Sequence, residues 1–340
     1  MKEIIKRILP KKWVEKHSHY KVKRRHMQFF KHDILRYNTH SGLWGGKRKE
    51  HLLGRISLRA HVVEKGLTMS DMRLGFGKDN LLDLIRLCIA YSSQYGNDNE
   101  ILRKAVGVVR EYRDVHVAEQ YTLEQDVQEQ IGHLLNCMPG IDATQQCVYT
   151  SEAYYQHSQA SFDLFSQSRH SLRHFSTTAE VSVDEVVKAI ELAQNAPSSC
   201  NRQSSRVHVV VERPLIEAVL ALQNGNRGFG HLVSKLLVLT VDLSCYNGIN
   251  ERNLCYIDSG IYAMNLLYAL HHQQIGACTL NWCDSPEDDA KFRSLLDIPA
   301  SETITLFIAC GKAPEETFKV ASSPRVEAKN VITIHTKSLK

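Results

Sequence analysis

No two cysteines in the chain are spaced C-x-x-C, and the nine present follow no regular interval. An odd, irregular set fits poorly with a disulfide framework and suits a reducing compartment. Long apolar runs are missing too: none approaches the roughly 18 residues a membrane-spanning helix needs. The N-terminal stretch lacks the apolar core and cleavage site of a secretory signal. The expectation is therefore a soluble, cytoplasmic protein. Phosphate-loop chemistry is equally absent, because Gly75-Phe76-Gly77 is too short for such a loop and no G-K-[ST] follows it. No metal site is expected.

What the chain does have is length and an uneven charge. Its 340 residues, 43% of them hydrophobic, exceed one typical domain and can bury a sizeable core. The net charge of +5 hides an N-terminal excess, since residues 1–50 hold 15 Lys and Arg against 4 Asp and Glu. Residues 1–16 place Ile4, Ile5, Ile8 and Leu9 opposite lysines and arginines. This is the pattern of a short basic helix that either makes weak peripheral membrane contact or packs on its own domain. Lys21 to His26, followed by Phe29 and Phe30, resembles a nucleic-acid patch, but no recognisable nucleic-acid fold surrounds it. A solvated face is expected there, with no nucleic-acid partner. A helix carrying Arg59, His61, Glu64 and Lys65 is predicted to stop at Gly66, its polar cluster either touching the substrate pocket or ion-pairing locally. Helical periodicity over 81–92, 100–115 and 123–135 makes residues 1–150 an all-α accessory region, with Met138-Pro139-Gly140 near its end.

The second half, 151–340, opens with a predicted lead-in helix over 151–168. From Ser168 to His174 the sequence packs two guanidiniums, two imidazoles and two hydroxyls into a short run, donor capacity suited to a bound phosphate. A helix follows: Ser182-Val183-Asp184-Glu185 has capping-box spacing, and Val186, Ala189, Ile190 and Ala193 form one apolar stripe. Next come Ala196-Pro197-Ser198-Ser199-Cys200-Asn201-Arg202-Gln203, where proline and small hydroxyl residues stop the helix and free backbone N–H groups for a ligand. Strands are predicted over 206–212, 235–241, 277–280 and 303–311, and helices from Pro214 to Leu222 and from Asp258 to Gln274. The latter is apolar on nearly every side and so has to be covered all round. Ser285-Pro286 reads as a capped helix start.

The basic run and the Ala196–Gln203 run, about twenty-five residues on, resemble the entry signature of the FMN-dependent nitroreductase superfamily, R-x-S-x-R-x-F then A-P-S-x-x-N-x-Q. The resemblance covers roughly residues 165–335. It implies an α+β fold, a three-layer α/β/α flavin domain around a central, mainly antiparallel sheet. It also implies a homodimer whose core is the long apolar helix, with the tail at 330–335 pairing with the partner's sheet. Carried over residue by residue, Arg169 and Ser171 match phosphate and ribityl ligands, with His170 and Arg173 beside them. Pro197, Ser198 and Asn201, with Ser199 and Gln203 in the same run, match the strip reaching the flavin of the opposite subunit. Asn226 matches a residue on the pyrimidine edge. Thr279, Asn281 and Trp282 lie in the segment whose backbone amide meets flavin N5. Arg325 matches a phosphate clamp, but Ser323 stands where many relatives have lysine; Lys312 either supplies that charge or is simply solvated.

Such a protein uses FMN as its redox centre, so no side chain is expected to act as the catalytic group. NADH or NADPH would reduce it and a small organic substrate would be reduced in turn, by a ping-pong route. Cys200 has no base beside it and is expected to be a packed small residue. Two other readings stay open: a dehydrogenase or dehalogenase on the same fold, and a non-catalytic flavin-binding or interaction module.

Overall fold

The computed structural model describes residues 11–40, 48–246, 248–282 and 285–336. The first ten residues of the expected membrane-contacting helix lie outside them. Five helices come first: α1 (Lys11–His40), α2 (Lys49–Leu67), α3 (Lys78–Tyr95), α4 (Glu100–Ala118) and α5 (Gln125–Cys137). Helices α2 to α5 turn their apolar stripes inward, and Ile56, Leu84, Ile85, Val106, Val109 and Ile131 belong to a core of their own. Each such side chain contributes about 1.5–3 kcal/mol on burial. Helix α4 starts where Asn99 accepts from the N–H groups of Ile101 and Leu102. Helix α1 keeps Trp13, Met27, Phe30 and Ile34 exposed, and Asp33 joins it to the second half through Arg252 (2.5 and 2.7 Å). Phe29, in the basic stretch expected to be a solvated face, lies under the guanidiniums of Arg25 and Arg252.

Helix α2 departs from expectation at its end. It runs through Gly66 to Leu67, and Thr68 closes it. Gly66 is helical because a Cβ there would lie 2.0 Å from the Phe76 ring, so packing, not a left-handed turn, demands glycine.

The second half is built on a four-stranded antiparallel sheet. Its strands are β2 (Ser205–Val210), β3 (Lys235–Asp242), β4 (Gly276–Asn281) and β5 (Glu302–Gly311), in the order β2-β3-β5-β4. Strand β2 lies at an edge of the sheet and is half-buried. Period-two alternation sorts the central side chains: Leu236, Val238, Phe307 and Ala309 face one layer, and Leu237, Leu239, Ile308 and Cys310 the other. The first layer holds α9 (Arg213–Leu222) and α11 (Pro286–Leu296); the second holds α8 (Val183–Ala193) and α10 (Leu254–His272). This is the expected three-layer α/β/α arrangement. The lead-in helix is two short ones, α6 (Ser151–Tyr155) and α7 (Phe162–Ser168).

A separate ribbon pairs β1 (Cys147–Tyr149) with β6 (Phe318–Val320). It binds residues on the N-terminal side of the expected 150/151 boundary to the C-terminal half. The tail beyond β6 forms a 3-10 turn at Ala328–Asn330 and then no strand through 336.

Candidate functional site

The basic run is an extended segment laid along the edge of β4. Leu172 N–H donates to Ala277 O (3.0 Å) and Ser176 N–H to Lys312 O (2.9 Å). Leu172 and Phe175 are buried anchors, whereas Ser171 and Arg173 stay half-buried. Gly276 permits this docking, since a Cβ there would lie 2.3 Å from Leu172. His170 interacts with the Ala321 backbone, and its carbonyl accepts from Tyr154 Oη (2.8 Å). Burial first, then Arg169 and Arg325, push His170 below its ordinary value. The two arginines expected to grip phosphate thus bear on one imidazole. Among the described residues no carboxylate makes an ion pair with Arg169 or Arg173; the charge of Arg173 bears on the Glu64 carboxylate and the Cys278 thiol.

The C-terminal end of α10 meets the same place. His271 Nε2 lies 2.9 Å from Ser168 Oγ. Burial, then Arg169, His170 and His272, push it down to about 4, so it is neutral near pH 7. Among the described residues strand β4 has no strand on its outer side, and because Ala277 O points outward, the backbone groups of Thr279 lie along the same edge. The donor set of paired guanidiniums, hydroxyl and strand-edge N–H fits a phosphorylated aromatic ring.

The second motif lies elsewhere. Ser199 N–H and Oγ donate to Asp258 Oδ1 (3.0 and 2.9 Å) near the N-terminal end of α10. Ser198 Oγ accepts from Gln203 N–H (2.9 Å), and Cys200, Asn201 and Gln203 all have positive φ, near 50°. Gln194, Pro197, Ser198, Gln203 and Tyr262 line a small cleft there. Asp258 and His271 are thirteen residues apart, which at about 1.5 Å per residue separates the two motifs by roughly 20 Å within one chain. Along its length α10 exposes Ile257 (54%), Ile261 (41%) and Met264 (37%). The helix predicted to be covered all round is uncovered along that stripe.

Four predicted site residues are engaged otherwise. Lys312 Nζ pairs with Glu185 Oε1 (2.5 Å), and the other oxygen of that carboxylate, Oε2, accepts at the capping box of α8, so the lysine is neither solvated nor aimed at the arginines. Trp282 packs against Phe292 and Phe307, and its indole N–H donates to Asp289 (3.1 Å). Asn226 spends its amide N–H groups inside its own turn, on Leu220 O (2.7 Å) and Gln223. Asn281 offers its backbone oxygen to Gln223 Nε2 (2.9 Å).

Helix α2 contributes more than its helix-end cluster indicated. Arg59 does pair locally, with Asp83 (2.7 Å). Glu64, however, accepts from Ser323 N–H (3.1 Å), and a cavity of about 400 Å³ opens between His61, Glu64, Lys104, Ser323 and Arg325. Burial raises the Glu64 carboxyl, but His61, the Ser323 N–H and Arg173 outweigh this and leave it below its ordinary value. Lys65 Nζ donates to Gly225 O (2.6 Å). The only signal in the sequence was that these charges end a helix; their reach across to 225 and 323 is a product of tertiary folding.

Residues 167–230 match the model of the nitroreductase family. A search of curated proteins returns no match. Among solved structures, a nitroreductase family protein from Streptococcus pneumoniae is 22% identical with a TM-score of 0.45, over 51% of this chain and 100% of its own. A putative nitroreductase in complex with FMN from Desulfovibrio desulfuricans is 22% identical with a TM-score of 0.42, covering 50% and 94%. An FMN-dependent nitroreductase from Clostridium difficile is 19% identical with a TM-score of 0.42, covering 52% and 98%.

Proposed function

We propose that this chain, nitroreductase-like over residues 167–230, is an FMN-dependent oxidoreductase that works as a homodimer in a reducing cytoplasm. The observation that carries the reading is that Arg169 and Arg173, neither of them ion-paired to a carboxylate among the described residues, sit on a segment docked along the outer edge of β4. When bound, FMN supplies the two-electron centre; NADH or NADPH is the donor and a small organic molecule the acceptor, taken in turn at one face. Arg169, Ser171 and Arg325 hold the phosphate by charge-assisted hydrogen bonds. The edge amide of Thr279 would serve as a donor to the ring, where a donor favours added negative charge. His271, kept neutral beside Arg169, adds no competing cation of its own.

The roughly 20 Å between the motifs supports the dimer. Pro197, Ser198, Asn201 and Gln203 come within reach of the arginines when a second copy lays its α10 stripe on the first. The free thiols of the described cysteines agree with a reducing compartment. Purified protein is expected to be yellow, to bleach with NADH or NADPH under anaerobic conditions, and to regain colour with a nitroaromatic or quinone. Arg169→Ala is expected to weaken FMN by about ten- to a hundredfold, one charge-assisted contact. Colourless protein that takes up no added FMN ends this reading.

A further inference from the structure

Lys65 reaches the Arg173 side of the site from α2, an element outside the sheet. Its ammonium donates to Gly225 O at 2.6 Å and stands 5.2 Å from the centroid of the Phe229 ring. Arg173 and Arg227 repel it, and the Cys278 thiol faces it. Glu64, its neighbour in sequence, is turned toward Ser323 and His61. Among the described residues no carboxylate makes an ion pair with Lys65. Burial first, then the two guanidiniums, lower its ordinary value, so the ammonium form is under strain. One carbonyl and an aromatic face leave donors on the ammonium unused. A half-buried cation set against a guanidinium costs free energy that a bound anion would recover.

We infer that Lys65 is a ligand-binding residue, placing a second positive charge beside Arg173 on an anionic group of the bound flavin nucleotide. The helical region then completes the cofactor site. This rests on the FMN reading above. It also accounts for Ser323: the charge missing from the tail is supplied from another element. FMN is anionic at its phosphate and, once reduced, on its ring, and Lys65 serves one of these.

Full-length protein freed of flavin is titrated with FMN and with riboflavin, which lacks the phosphate, in the wild type, Lys65→Met and Lys65→Arg; the midpoint potential of each FMN complex is recorded. Methionine keeps the side-chain length and can pack on Phe229, and unchanged melting checks the fold. If the charge meets phosphate, Lys65→Met weakens FMN by about tenfold or more and leaves riboflavin unchanged. If it meets the ring, Lys65→Met shifts the potential negative. In either case Lys65→Arg stays within about threefold of wild type. The inference is overturned, with the FMN reading intact, if Lys65→Met changes neither affinity nor potential, or if Lys65→Arg is as impaired as Lys65→Met. Wild-type protein that binds no FMN overturns both.

Discussion

His271 is a residue whose environment sets its protonation. Tyr155 and Phe165 flank its ring at 5.9 and 5.3 Å, and Arg169 lies on the same side as Ser168. Its value of about 4 in the folded chain lies below the roughly 6.5 of an unfolded histidine. Between those values the unfolded state binds more protons, so this group removes stability as pH falls from about 6.5 toward 4. Above that window its contribution is fully present. Thermal melting across pH 4 to 7 is expected to show the wild type losing on the order of 1–3 kcal/mol more than His271→Phe. Equal pH slopes in the two proteins would rule the assignment out. Such a site is hard to read from sequence, because Ser168 and His271 are 103 positions apart.

At the scale of elements, local rules carried most of the reading. The capping box Ser182–Glu185 opens α8, Pro286 follows its Ser285 cap, and β3 and β5 are the predicted central strands. Each of these signals lies within a few residues of what it specifies. The misreadings are long-range: Gly66 is fixed by Phe76, Lys312 by Glu185, and Trp282 by Phe292 and Phe307. In the candidate site, the motif residues were legible individually, while the distance between the two motifs was not. Gly66→Ala tests the close approach. Helix propensity alone would stabilise the variant by up to about 1 kcal/mol. Phe76 is wedged against Tyr112 and His116, so overpacking of about 1–3 kcal/mol should win and lower the thermal midpoint. A raised midpoint would mean the ring has room to move.

For the molecule as a whole, the exposed stripe of α10 is the feature on which the proposed dimer depends. Ile261 and Met264 lie between the two halves of the candidate site, with Ile257 just before them, so pairing of copies and cofactor binding are expected to fail together. Ile261→Arg should give a monomer by light scattering and weaken FMN by at least about tenfold, since a buried unpaired charge costs several kcal/mol. A monomer that holds FMN at wild-type affinity would separate the two.

The helical region and the sheet are stitched together by the tail that follows β6. Ser323 N–H reaches Glu64 across 259 positions, Lys104 donates to Pro324 O (2.6 Å), and Asn330 reaches Glu100 (3.0 Å). During synthesis, then, helices α2 to α5 leave the ribosome long before the strap that seats them. A nascent chain can close its helical core early, yet the wall of the cavity at Glu64 and Arg325 stays unbuilt until translation has passed the final sheet strand.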